Sequence, residues 1–236
     1  MQIYTGTSGF SYPAWRGTFY PEKLPTTRML EHYASQLGTV EINNTFYRMP
    51  KPETLTGWAA LTPPGFRFAP KAPQQITHRQ RLVGSAESTA LFWKTVGVLG
   101  QQLGPALFQL PPNMKKDLGR LTDFLALLPA GARAAFEFRH ESWLDEEIYG
   151  ILRNRNLALC VADSEKLSTP VVMTADYAYF RLRDEGYQPS DIDRWASTIG
   201  ALSGITDAFV YFKHEEEGLG PQFAQRLIGS LGEAAA

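Results

Sequence analysis

Glu41 and Asn43 in VEIN, Lys71 in FRFAPK, Gln109 in ALFQL, Glu137 and Arg139 in AFEFRH, and Arg181 in YFRL have similar settings. Each polar residue stands near the end of a short run of apolar or β-branched residues. Residues two apart on a strand share a face. Glu41 therefore goes with Asn43, Lys71 with Arg67 and Ala69, Gln109 with Leu107, and Glu137 with Arg139. Val40, Ile42, Phe66, Phe68, Phe136 and Phe138 take the opposite faces. A sixth run ends at Asp163 and the last in Lys213 and His214, which are expected at the same mouth.

Such a set suits an anionic substrate, because guanidinium forks grip phosphate and carboxylate with paired hydrogen bonds. Arg139, Arg181 and Lys71 would hold the anion. Glu137 or Glu41 would be the general base, with His140 or Asp163 a second proton carrier. Cations beside a carboxylate lower its pKa, which favours a base over an acid. Lys71, crowded by arginines in a partly buried place, could give up its proton readily enough for Schiff-base chemistry. An electrostatic role is the simpler assignment. The reaction expected is that of a hydrolase or lyase acting on a phosphorylated or carboxylated compound.

The loops after these runs add candidates. Residues 8–25, SGFSYPAWRGTFYPEKLP, are stiff and aromatic. Trp15 there could wall a pocket or stack on a ring, or could cap the end of the fold with Phe19 and Tyr20. NTFYR places Tyr47 and Arg48 just beyond Asn43, and QQITHRQR adds His78, Arg79 and Arg81. With Lys213 these make a locally basic rim.

Other readings compete. Inward Glu and Arg can form a structural ion-pair network without doing chemistry. A metal-dependent phosphodiesterase would draw ligands from His140, His214, Glu137, Glu41 and Asp163. Against it, the chain has only four histidines, with no H-x-H or H-E-x-x-H pair. Neighbouring cations would also repel a metal. No cofactor is expected, and a divalent metal is the alternative. A glycosidase needs two carboxylates about 5–10 Å apart, and Glu41 and Glu137 could span such a gap. A non-catalytic binder of single-stranded nucleic acid would stack bases on the aromatic loops and track phosphates with Arg79, Arg81, Lys115 and Lys116. The acidic HEEEG stretch from His214 argues against a broad polyanion track.

Elements that position these residues recur along the whole chain. Strands are expected at 2–7, 39–43, 66–71, 106–110, 134–139, 157–163, 177–182 and 208–214. Helices are expected at 28–37, 52–61, 87–103, 118–128, 146–154, 191–202 and 221–231. Residues 164–174, after the sixth strand, show little helical pattern. Repeated βα units imply parallel strands, and eight of them close into a (β/α)₈ barrel, an open doubly wound sheet being the alternative. The 236 residues approach the roughly 250 typical of that fold, and no linker divides them, so one domain over 1–236 is expected.

Composition narrows the classes further. Hydrophobic residues make up 44% and charged ones 20%, as in ordinary globular proteins. A net charge of -1 provides no global field for a polyanion. The single Cys160 rules out an internal disulfide and reads as a core residue. Gly6, Gly9 and Gly17 do not fit the dinucleotide spacing, and no phosphate loop of the G-x-x-x-x-G-K-[ST] type occurs. MQIYTGTSGF lacks the basic start and apolar core of a signal peptide, and no apolar run approaches membrane-spanning length. A cytoplasmic protein is expected. Its first expected partner is a small anionic ligand and its second a nucleic acid, with no membrane contact; the pattern sets no oligomeric state.

The blocks TSGFSYPAWRGTFYP, VEINNTFYRMP, FAPKAPQQITH, LGPALFQLPP, FEFRHESW, ADS and TADYAYFRL, in that order, resemble the YecE-like family, domain of unknown function 72. The resemblance covers nearly the whole chain and implies a TIM-type barrel. It implies no activity. The motif residues it marks are Glu41, Asn43, Tyr47, Arg48, Lys71, His78, Gln109, Glu137, Arg139, His140, Trp143, Asp163 and Arg181. Two places depart from the family pattern. Relatives usually carry His-Gly after the seventh-strand arginine, where this chain has Arg183 and Asp184, and asparagines where it has Lys213 and His214.

Overall fold

Large apolar side chains on one face of each short strand, and small or polar ones on the other, dictate a sheet that covers one side with helices. The computed structural model describes residues 1–164, 167–214, 216 and 218–234 and shows this arrangement. Its strands are β1 (Gln2–Ser8), β2 (Thr39–Ile42), β3 (Arg67–Pro70), β4 (Ala106–Gln109), β5 (Ala134–Glu137), β6 (Ala158–Asp163), β7 (Tyr177–Leu182) and β8 (Asp207–Phe212). All are parallel, in the order β3-β2-β1-β8-β7-β6-β5-β4. The remaining seam, between β3 and β4, is spanned by parallel bridges at Phe68/Leu103 and Lys71/Leu107. The chain is a TIM-type α/β barrel, as the alternation of elements implies.

The helices are α1 (Met29–Gln36), α2 (Asn44–Tyr47), α3 (Pro52–Ala60), α4 (Ala86–Val96), α5 (Leu118–Leu125), α6 (Glu146–Arg153), α7 (Pro189–Gly200) and α8 (Leu219–Ala234). Side-chain caps start α5 and α6, where Asp117 accepts from the Arg120 N–H and Asp145 from the Ile148 N–H, each satisfying an orphan donor. The helix expected over 87–103 stops at Val96 and continues as a 3-10 segment, Gly97–Gln102, where Gly100 takes a φ of 54°. That left-handed conformation ends the helical hydrogen-bond pattern at little cost in a glycine. The helix α2 and a π-turn at Gln75–Arg79 escape the apolar periodicity because they are single turns. No helix lies between β6 and β7 among the described residues, in keeping with the weak pattern there.

Outward-facing Val40, Phe68, Phe108, Phe136, Val161, Phe180 and Val210 are buried under the helices. Inside the barrel, Ala69, Leu107, Ala135, Cys160, Tyr179, Phe209 and Tyr211 fill the lumen. The N-terminal end is closed by aromatics and cations: Arg133 lies 4.2 Å over the Tyr177 ring and Arg67 lies 5.4 Å over Tyr4. Arg67 is thereby held away from the mouth. Gly6 permits the close approach of β1 to β2, since a Cβ there would sit 1.9 Å from the Thr39 carbonyl oxygen. The lumen is thus a packed floor, and polar groups can stand clear only above it.

Candidate functional site

Above the floor the inward positions turn polar: Ser8, Glu41, Lys71, Gln109, Glu137 and Arg181, from six different strands or strand ends, meet at the C-terminal mouth. Arg181 is at the centre. Its Nε donates to Glu41 Oε2 at 2.9 Å, its Nη2 to Glu41 Oε1 at 2.8 Å, and its Nη1 to Glu137 Oε2 at 2.6 Å. Ser8 Oγ and the Tyr179 hydroxyl each donate to Glu41 at 2.7 Å. On the other side, Gln109 Nε2 donates to Glu137 Oε2 at 2.8 Å and Lys71 Nζ donates to Gln109 Oε1 at 2.9 Å. A continuous chain therefore runs Lys71–Gln109–Glu137–Arg181–Glu41.

Protonation follows from these contacts. Burial alone would raise the Glu41 and Glu137 carboxyls, but the Arg181 charge and the hydrogen bonds outweigh it. Both are lowered, Glu137 to about 2. Arg181 is held protonated by the same two partners against its own burial. Lys71 behaves oppositely: burial, with the Arg181 charge added, lowers its amine to about 8 despite the two carboxylates. His78 is also lowered, first by burial and then by the charges of Lys71 and Arg139, so its imidazole is neutral near pH 7.

Over this layer opens a cavity of about 670 Å³ lined by Lys71, Gln109, Arg139, Arg181, Arg183 and Lys213, with Asn43, Tyr47, His78 and Tyr12 among its other walls. Glu41 and Glu137 lie beneath it with no exposed side-chain surface. Glu137 Oε1 has no hydrogen-bond partner among the described residues. It faces Arg139 Nε at 3.8 Å and Arg183 Nη2 at 3.9 Å, distances of ion pairs without a hydrogen bond.

The structure thus gathers Glu41, Asn43, Tyr47, Lys71, His78, Gln109, Glu137, Arg139, Arg181 and Lys213 at or just below one cavity. It does not bring the others there. Asp163 follows inward Cys160 and Ala162 by an odd step and turns to the helix side, where it accepts from the Tyr187 hydroxyl at 2.6 Å. His214 likewise faces outward, its Nε2 2.7 Å from the Asp184 carbonyl and its ring 5.0 Å from Phe223. His140 caps a short turn by accepting from the Ser142 N–H. Trp15 is buried among Tyr12, Phe19 and Tyr20. Trp143 is buried on Phe138 at 4.8 Å. Arg48 is exposed at the end of α2, and Arg81 reaches Asn113. Among the described residues, no three His, Cys, Asp or Glu side chains are grouped to hold a metal ion.

Participants not singled out from the sequence include Ser8, Tyr12, Phe46, Tyr179 and Arg183. Tyr179 and Arg183 stand two residues on either side of Arg181, so strand alternation already places them on its face. Ser8 and Tyr12 carry no comparable signal.

Comparison with known proteins places the chain among relatives of the same fold. The model of the family described as "Protein of unknown function DUF72" matches residues 4–236. The chain belongs to this family. The UPF0759 protein YecE of Escherichia coli strain K12 is 33% identical over 58% of this chain, and YunF of Bacillus subtilis is 27% identical over 62%. Those matches span 48% and 54% of the two relatives, about half their length. A DUF72 family protein of Thermotoga maritima superposes with a TM-score of 0.86 at 28% identity, over 98% of this chain and 100% of that one. A DUF72 family protein of Enterococcus faecalis, at 18% identity, shares the fold with a TM-score of 0.81 over 98% of this chain and 96% of its own. None of these names carries an activity. No helix among the described residues is long and apolar enough to cross a membrane.

Proposed function

We propose that this DUF72 barrel is an enzyme that binds a small phosphorylated or carboxylated compound at the C-terminal mouth and transforms it by proton transfer, as a hydrolase or lyase. One observation carries the reading: among the described residues, cations at the cavity outnumber the carboxylates able to neutralise them. Lys71, Arg139, Arg181, Arg183 and Lys213 line it, while the oxygens of Glu41 and one oxygen of Glu137 are already occupied by Arg181 and its neighbours. Surplus positive charge in a concave, partly desolvated place is the physical signature of an anion site. Arg139 and Arg183, which meet Glu137 only at long range, are the groups that would turn to the anion.

The proton carriers follow from the titration order. Glu41 and Glu137 bind protons too weakly for a base at neutral pH, and they serve to hold Arg181 in place. Lys71, at about 8, is matched to the working range, and burial keeps the His78 imidazole neutral beside it as a proton acceptor. No cofactor is needed for this chemistry, and the reading sets the protein in the cytoplasm, where such compounds are abundant.

Titration calorimetry with inorganic phosphate, citrate and phosphoglycolate tests the anion site. At least one should bind, and Arg139→Ala and Arg183→Ala should each weaken it tenfold or more while the fold persists. Equal binding by wild type and both variants, or binding of none, would overturn the reading.

A second reading rests on Tyr47, 74% exposed at the same cavity, as a platform for a stacked base beside the cations. It calls for affinity to short single-stranded oligonucleotides that falls steeply with salt and depends on Tyr47.

A further inference from the structure

We propose that the ligand of this cavity carries a ketone or aldehyde next to its anionic group, and that Lys71 Nζ attacks that carbonyl to form a protonated imine. The proposal rests on the anion site above and adds the reactive group.

The geometry carries it. Lys71 leaves the end of β3, only 9% exposed, and its amine looks into the anion cavity rather than into bulk water. No carboxylate oxygen lies within ion-pair distance of Nζ among the described residues. Glu137 would be the obvious partner, but Gln109 stands between the two, accepting from Lys71 and donating to Glu137. An amide carbonyl accepts from a neutral amine as well as from an ammonium ion, so this contact survives loss of the proton. The Phe46 ring covers another side of Nζ at 4.3 Å, an apolar wall that narrows access to the cavity side. A lysine kept as a nucleophile needs these features: desolvation, a neighbouring cation, and no tight carboxylate. Arg181 is that neighbouring cation.

The step balances without any further reactant. The ammonium loses a proton to neutral His78, whose charge environment includes Lys71. The amine lone pair attacks the carbonyl carbon, the C=O π pair moves onto oxygen, and a proton passes from the attacking nitrogen to that oxygen, giving the neutral carbinolamine. The C–O bond then breaks, the oxygen leaves as water with the proton returned by His78, and the nitrogen lone pair closes the C=N⁺ bond. Overall, ammonium plus carbonyl gives protonated imine plus water. Arg139 and Arg183 hold the substrate's anionic end, and the imine withdraws electrons from the adjacent carbon. That is the polarisation a lyase or a proton abstraction beside a carbonyl requires.

The experiment is borohydride trapping. Protein is incubated separately with pyruvate, glyoxylate, dihydroxyacetone phosphate and pyridoxal phosphate, with neutral dihydroxyacetone as control, then reduced, digested with trypsin and weighed. A reduced adduct on Lys71 blocks cleavage there, so residues 68–79 appear as one heavier peptide. An anionic carbonyl is expected to label Lys71 at least tenfold more than the neutral control and more than the exposed Lys213. Inorganic phosphate should protect it, Arg139→Ala should erase the preference, and Lys71→Arg, which keeps the charge, should erase the label. Circular dichroism of both variants excludes unfolding. Absence of the Lys71 adduct with every anionic probe, or equal labelling by dihydroxyacetone, would overturn the proposal. Should phosphate, citrate or phosphoglycolate still bind calorimetrically in that case, the anion site stands and only the imine falls; should none of them bind, both fall.

Discussion

Arg181 and Glu41 meet face to face, Nη2 to Oε1 at 2.8 Å and Nε to Oε2 at 2.9 Å, with both side chains at most 2% exposed. This is the paired geometry in which guanidinium and carboxylate bind most strongly. It also explains why Glu41 has no capacity left for a substrate proton. Ser8 and Tyr179 donate to the same two oxygens, so the carboxylate accepts from three side chains at once. Removing one member of such a buried pair leaves its partner short of compensation, and the loss exceeds the net worth of the contact.

Glu41→Gln keeps the volume and removes the charge. Urea unfolding should show a loss of roughly 3–5 kcal/mol, far above the cost of an exposed pair. A loss below about 1 kcal/mol would mean that Glu137 alone holds Arg181 and that the two-sided clamp has been overvalued.

Glu137 should govern acid stability. Its carboxyl titrates near 2 in the fold against about 4.3 in the unfolded chain. A lowered folded pKa contributes stability above the unfolded value, and that contribution disappears as pH falls toward the folded one. The Glu137 contribution, on the order of 3 kcal/mol, should therefore be constant above about pH 5 and be lost between about 4.5 and 2, lowering the melting temperature in that window. Glu137→Gln should melt lower at pH 7 and show a shallower decline in that window. Parallel curves for the two proteins would show that Glu137 is not the group responsible.

Much of this was legible in the sequence, and one rule decided where legibility ended. Alternation along VEIN, ALFQL and AFEFRH put Glu41, Gln109, Glu137 and Arg139 on the inner face, where they stand. The same rule, applied strictly, sends Asp163 to the face of Val161 and His214 to that of Phe212, toward the helices. Polarity at a strand's end is a weaker signal than the parity of its position. What no pattern contains is the order of contacts. That Gln109 separates Lys71 from Glu137 depends on rotamers and on the β4–β5 register, which exist only after the barrel closes. The perturbed amine of Lys71 likewise follows from its burial and from the Arg181 charge beside it, both created when the barrel closes. The short helix α2 and the π-turn carry Tyr47 and His78 to the cavity through single turns, too brief to produce a period.

Trp143 separates a packing role from a binding one. Its indole N–H donates to the Met114 carbonyl at 2.7 Å, and its ring lies 4.8 Å from Phe138 at an interplanar angle of 11°. Trp143→Ala should cost about 3–5 kcal/mol by opening a cavity on the helix side of β5. Phosphate affinity of the folded variant, measured below its melting range, should stay within about twofold of wild type, a difference of only about 0.4 kcal/mol. A tenfold loss of affinity at unchanged stability would place the indole in the site after all.

Lys71 should leave a stability signature of the opposite sign to that of the carboxylates. Its amine titrates near 8 in the fold and near 10.4 in the unfolded chain. Between those values the unfolded state binds more protons, so this residue's contribution to stability rises with pH. Below pH 8 both states are protonated, and the full cost of burying the ammonium is borne by the fold. Replacement by Met, which fills the space without a charge, should raise the melting temperature at pH 7 relative to wild type. The gain should shrink steadily between about pH 8 and 10.4 as the native amine is released from its charge. Because tyrosines and other lysines titrate in the same range, the informative quantity is the difference between the two proteins at each pH, which cancels those common terms. A difference that stays constant across the range would mean that the Lys71 amine keeps its ordinary proton affinity, and the nucleophile would lose its physical basis. A variant less stable than wild type at pH 7 would instead show that the contact to Gln109 and the Phe46 ring outweighs the cost of the buried charge.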